Sequence, residues 1–113
     1  DIDKNNIQSI HKAAQTLQTK MNIKTVLITL SELGIFICDD GSYYNAPAQI
    51  RTIADVSGAG DTVISVASLC LASNFSAKQI AQFSNIAGGI VCEKVGVVPI
   101  DKEQLLNECL NLF

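Results

Sequence analysis

The sequence predicts an α/β fold, and three observations carry that reading. Thr25-Val26-Leu27-Ile28-Thr29-Leu30 is an unbroken β-favouring run, the pattern of a strand covered on both faces. An Asp40-Gly41 pair between two strand-like segments marks a tight β-hairpin. Apolar residues at helical spacing precede and follow this region, so helices are expected to layer against a sheet. The 113 residues suffice for one domain, 1–113, with a core of its own. Hydrophobic residues make up 48% and charged residues 17%, which excludes a disordered chain. A net charge of −3 with no basic run argues against a nucleic-acid partner. The apolar runs are too short to span a bilayer and no charged-then-apolar leader is read, so no membrane partner is expected.

Asn6 is placed to cap a helix running to about Lys20. Ile7, Ile10, Ala14, Leu17 and Met21 form its inner stripe. His11 lies beside that stripe with no second ligand-type residue near it, and reads as a surface or boundary residue. Asn22 to Lys24 is a loop leading into the strand at Thr25. Ser31-Glu32-Leu33-Gly34 is a turn at the strand's carboxyl end, where ligands of open α/β sheets gather. Ile35 to Cys38 and Tyr43 to Ala46 are the arms of the hairpin. Asp39 and Asp40 are its solvated tip rather than a metal pair. Pro47 ends the second arm, and Gln49 to Ala54 is a short extended segment.

Asp55-Val56-Ser57-Gly58-Ala59-Gly60-Asp61 then turns the chain into a helix from about Gly58 to Ser73. Gly58 and Gly60 admit backbone angles closed to other residues and let a ligand approach the main chain. The first amides of a helix have no intrahelical partner and carry partial positive charge, so such a turn is an anion site. Asp61, beside that anion, is a reasonable proton acceptor. The helix is apolar nearly all round, which predicts burial. Ser76-Ala77-Lys78-Gln79 has capping-box form and starts a further helix with Ile80, Phe83, Ala87, Ile90 and Val91 inward. Gly88-Gly89 within it predicts close packing against a neighbour or a ligand. Lys94 to Pro99 is a loop. Asp101-Lys102-Glu103-Gln104 opens a last helix with Leu105, Leu106, Cys109 and Leu112 inward. Cys38, Cys70, Cys92 and Cys109 show no Cys-x-x-Cys pair and read as reduced core thiols, which suggests a cytoplasmic protein.

The Gly-Ala-Gly-Asp core in its strand–turn–helix setting resembles the signature of the ribokinase-like carbohydrate kinases, also called the PfkB sugar kinases. The resemblance runs from about Thr25 to Leu106. It implies the carboxyl-terminal, nucleotide-binding part of a ribokinase-like three-layer α/β/α fold bearing a β-hairpin. It implies ATP as phosphoryl donor, with Mg2+ and a monovalent cation such as K+. Asp61 would take the proton from a sugar hydroxyl, and the amides of Gly58, Ala59 and Gly60 would stabilise the transferring phosphoryl. Thr29, Ser31 and Gly34 would hold the distal phosphates, Ser31 standing where the family has glycine. Asn85 would lie near the adenine. The main chain at Asp55 and Ser57 would meet the monovalent cation, and the Lys94–Pro99 loop would help to close over the base.

The family's Asn-x-x-Glu motif, linked to magnesium, has no match, so no metal ligand is expected within this chain. Family members are longer, and the chain begins at Asp1 rather than Met, which together suggest a piece of a longer kinase. The sugar site is then expected upstream, the fragment alone inactive, and surfaces exposed by truncation available for homo-oligomerisation. Thr62-Val63-Ile64 and the Asn85–Val91 segment look most like the kinases acting on D-glycero-D-manno-heptose 7-phosphate in ADP-heptose synthesis for lipopolysaccharide. A kinase of another sugar or a nucleoside is the alternative within the family. A non-catalytic nucleotide-binding or assembly module is the alternative outside it.

Overall fold

In the computed structural model, which describes residues 2–49 and 51–112, the chain runs α1 (Ile7–Met21), β1 (Thr25–Thr29), β2 (Ile35–Asp39), β3 (Ser42–Ala46), α2 (Ala59–Ala72), α3 (Ala77–Cys92) and α4 (Lys102–Leu110). Ile50, part of the expected extended segment, lies outside the described residues. The sheet has the order β1-β2-β3 and is antiparallel throughout. Val26 stands opposite Cys38 and Ile28 opposite Phe36, while Ile37 stands opposite Tyr44. Side chains alternate across a strand. Val26, Phe36 and Cys38 therefore share one face, packed under Ile10 and Ala14 of α1. Ile35 and Ile37 share the other, packed under Val63, Val66 and Cys70 of α2 and Ile80, Ala81 and Ala87 of α3. Helix, sheet and helices form the three expected layers. β2 is central, and four of its five residues are buried.

Local signals set most element ends. Asn6 Oδ1 accepts from the Gln8 and Ser9 amides at 3.0 and 3.4 Å, capping α1. Ser76 and Gln79 form a reciprocal capping box on α3, each side chain bonded to the other's backbone amide. Asp101 caps α4 by accepting from the Glu103 and Gln104 amides, while the Gln104 side chain turns to Glu108. The hairpin closes through Asp40 and Gly41, with Asp40 at φ +54° and Asp39 accepting from Thr25 Oγ1 at 3.0 Å. His11 is half-buried at the edge of α1, its ring 4.4 Å from that of Tyr43. The four cysteines are free thiols, one in each of β2, α2, α3 and α4. Burial first, then the nearby Cys70 and Glu108, pushes the Cys109 thiol up to about 11.

Three burial expectations are corrected. β1 is an edge of this sheet, and only Val26 is buried, with Leu27 and Ile28 half-covered on opposite faces. α2 is buried on one side only: Ile64, Leu69 and Leu71 are 64%, 70% and 54% exposed. The sheet and α3 both lie against the Val63–Val66–Cys70 side, and among the described residues no comparable cluster covers the other. The inner stripes of α1 and α4 are likewise shortened, since Leu17, Met21, Leu106 and Leu112 are exposed. Periodicity identifies which side chains share a face. It does not say what covers that face.

Candidate active site

The turn before α2 is built by its own polar groups. Asp55 Oδ1 accepts from the Ser57 amide at 2.9 Å and the Ser57 hydroxyl at 2.7 Å, and Oδ2 accepts from the Gly96 amide at 3.0 Å. These bonds, the Ser57 amide foremost, hold the Asp55 carboxyl below the usual carboxylate range. The same carboxylate thereby joins the turn to the Lys94–Pro99 loop. Gly58 follows as the N-cap at φ +77°, and a Cβ there would meet Val97 Cγ1 at 3.0 Å. The positive φ is what favours glycine here, since Val97 is exposed and its side chain can give way. Gly60 differs from the expectation. It lies inside α2 without a positive φ, and a Cβ on it would meet nothing within 4 Å. Its value is open space beside the helix start, not backbone freedom.

A cleft of about 650 Å³ lies in front of this turn. Ala59 and Gly60 line it from α2, Asn85 from α3, and Thr29, Ser31 and Gly34 from the sheet side. The structure thus brings together six of the sequence-predicted residues from three separate parts of the chain. Gly58, Asp61, Asp55 and Ser57 are not among the residues lining the cleft. Asp61 is exposed in the first turn of α2. The Ala59 amide donates to Val56 O at 3.2 Å, so that one of the three expected amides is engaged in closing the turn.

Two predicted residues also have plain structural employment. Asn85 Nδ2 donates to Pro47 O at 2.7 Å, tying α3 to the end of β3. Gly34, at φ +95°, lies so close to β3 that a Cβ would stand 1.9 Å from Ala46 O. Ser31 sits at φ +52° in a single 3-10 turn, Ser31–Leu33, and its carbonyl accepts from the Gly34 amide at 3.2 Å. The backbone here keeps a conformation that favours glycine although the side chain is serine.

Sequence reasoning missed Arg51. Its guanidinium lies in the cleft wall, bonded to Gln49, Glu93 and Glu108. The partners on the last two helices are far away in sequence, and no spacing rule joins them. The glycine pair was the available signal. A Cβ on Gly88 would stand 2.8 Å from Val63 Cγ2, and one on Gly89 would stand 2.5 Å from Arg51 Nε. Both glycines therefore mark close packing, one against α2 and one against this side chain. Among the described residues no group of three or more His, Cys, Asp or Glu could hold a metal ion, and no helix is long and apolar enough to cross a membrane.

The layered fold is one that solved sugar kinases share. Escherichia coli phosphofructokinase-2 in complex with potassium superposes with a TM-score of 0.86 at 21% identity, over 97% of this chain and 36% of that one. Ribokinase from Thermotoga maritima gives 0.73 at 20% identity, over 85% and 34%. The sequence identifies the family: the model for the pfkB family carbohydrate kinases matches residues 2–103, and the chain belongs to that family. Among its relatives, the bifunctional protein HldE of Syntrophotalea carbinolica is 39% identical over 99 residues, 87% of this chain and 20% of that protein. The HldE protein of Desulfatibacillum aliphaticivorans is 42% identical over 98 residues, 86% and 20%. The chain spans about a fifth of the length of these curated relatives.

Proposed function

We propose that the chain is the nucleotide-binding portion of an ATP-dependent kinase that phosphorylates a sugar or sugar-phosphate hydroxyl. The observation that carries this reading is the meeting of Ala59 and Gly60, at the head of α2, with Thr29, Ser31 and Gly34 at one cleft. The cleft volume is in the range of small-molecule sites. Phosphoryl transfer needs mainly positioning and charge stabilisation. The Gly60 amide, at a helix start with open space beside it, would face the transferring phosphoryl, with Gly58 shaping the approach. Thr29, Ser31 and Gly34 would hold the distal phosphates, and Asn85 would border the base. Asp61 would accept the proton of the acceptor hydroxyl. The residues present suit ATP in this way. Among the described residues no group of three or more His, Cys, Asp or Glu is gathered for Mg2+. The Asp55 carboxylate is occupied by three donors, which leaves main-chain oxygens near Asp55 and Ser57 as the groups for a monovalent cation.

For the acceptor, we take heptose 7-phosphate, on the likeness of the turn and its continuation to the heptose kinases and on the HldE relatives. The acceptor site is assigned to chain outside these 113 residues, which makes the domain a partial one. The test is Asp61→Asn in the whole protein. Phosphoryl transfer to heptose 7-phosphate is expected to vanish while ATP affinity stays within about threefold, because a general base contributes to the reaction and not to nucleotide binding. Turnover near the wild-type rate would remove Asp61 as the base.

A further inference from the structure

Residues 51–58 form neither helix nor strand, yet they deliver the chain to the head of α2. The ties that hold them converge on the carboxyl end of α3. The Ala54 and Asp55 amides both donate to Cys92 O, at 2.8 and 3.2 Å. The Asp55 carboxylate takes the Gly96 amide just beyond. Arg51 completes the set: Nη1 donates to Glu93 at the end of α3, and Nη2 donates to Glu108 of α4 and to Gln49. Its side chain is only 10% exposed. α3 has no basic residue in its own last turn, so Arg51 supplies from elsewhere the cation that a helix carboxyl end favours. Burial works against that charge, but the bonds to Glu108 and Glu93 outweigh it, and the guanidinium is held even more firmly protonated than usual. Gly89 is the space that the guanidinium fills. Glycine is a poorer helix former than alanine, and here that cost admits the clamp. Lysine cannot replace it, because one ammonium lacks the planar fork that reaches two carboxylates and an amide together.

We propose that Arg51 is a positioning residue of the kinase site: clamped between Glu93 and Glu108, it sets where the Gly58–Asp61 turn stands at the cleft. Its kinetic consequence rests on the phosphoryl-transfer reading above, whereas its structural consequence does not. A displacement of about 1 Å in a catalytic group costs on the order of 100-fold in rate.

The experiment uses the whole protein with Arg51→Met, Arg51→Lys and Glu108→Gln. By amide hydrogen exchange, the Ala54 and Asp55 amides are expected to lose about tenfold or more of their protection in Arg51→Met, while amides of α1, beyond the sheet, keep theirs. In the kinase assay kcat is expected to fall about tenfold or more with the KM for sugar unchanged, and Arg51→Lys is expected not to restore it. Unchanged protection at Ala54 and Asp55 overturns the proposal whatever the protein phosphorylates. Lost protection with an unchanged kcat overturns it as well. A wild-type protein that phosphorylates no sugar, but whose variant loses that protection, removes the kinase reading and leaves the clamp standing. If Arg51→Met does not fold, Glu108→Gln, which keeps the arginine and Glu93, is read by the same two outcomes.

Discussion

Gly34 shows how a residue can match a functional motif and still be required by packing alone. Its φ of +95° and the 1.9 Å that would separate an added Cβ from Ala46 O both demand glycine. Gly34→Ala is expected to destabilise the fold by about 3 kcal/mol, read from the shift of a urea-unfolding midpoint. A shift below about 1 kcal/mol would mean that β3 moves aside cheaply, and the glycine would then be there for a ligand. Gly58 likewise has a backbone reason, whereas Gly60 has none, and this difference was invisible in the Gly-Ala-Gly-Asp string. The string announced a turn and a helix start because both are local properties. It could not show that the Ala59 amide is taken by Val56 O, since that depends on how the turn closes.

At the scale of elements, caps and turns were legible and burial was not. Asn6, Ser76 and Asp101 each cap the helix that their spacing predicted, and the Asp40-Gly41 pair makes the hairpin. Ser76→Ala removes the acceptor for the Gln79 amide at the head of α3, and is expected to lower stability by about 1 kcal/mol in thermal unfolding. An unchanged melting temperature would show that the box is ornamental and that packing alone positions α3. By contrast, the apolar circumference of α2 predicted full burial, and the helix is covered on one side. Hydrophobic pattern measures what a helix could bury, and Ile64, Leu69 and Leu71 lie on the side away from the sheet and α3. Arg51 was missed for a related reason, because its meaning lies in carboxylates supplied by α3 and α4.

At the scale of the whole molecule, carboxylates held below their ordinary range connect stability to pH, Asp55 and Glu108 among them. Asp55 is held below its ordinary range by the Ser57 and Gly96 donors, and Glu108 is held below its own by the bond from Arg51. A group whose folded pKa is depressed contributes stability that is present above its unfolded pKa, about 4 for these side chains. That contribution is lost as pH falls through the folded value. The protein is therefore expected to weaken as pH drops below about 4, and Asp55→Asn is expected to flatten that loss in unfolding midpoints taken across the acid range. Parallel curves for the two proteins would exclude Asp55 as a source of the acid sensitivity. The Arg51 clamp carries a consequence for the order of events in folding. Its two ion pairs join residues 42 and 57 positions apart, closing across most of the chain that forms α2, α3 and α4. Contacts of such separation repay their loop-closure entropy only after the intervening helices have docked. The Arg51 ion pairs are thus expected among the last native ties to form, after the local Asp55–Ser57 bonds. Glu108→Gln is expected to speed unfolding and leave the refolding rate nearly unchanged in stopped-flow measurements. A variant that refolds more slowly instead would place the clamp in the folding nucleus, with the turn before α2 formed ahead of the helices that hold it.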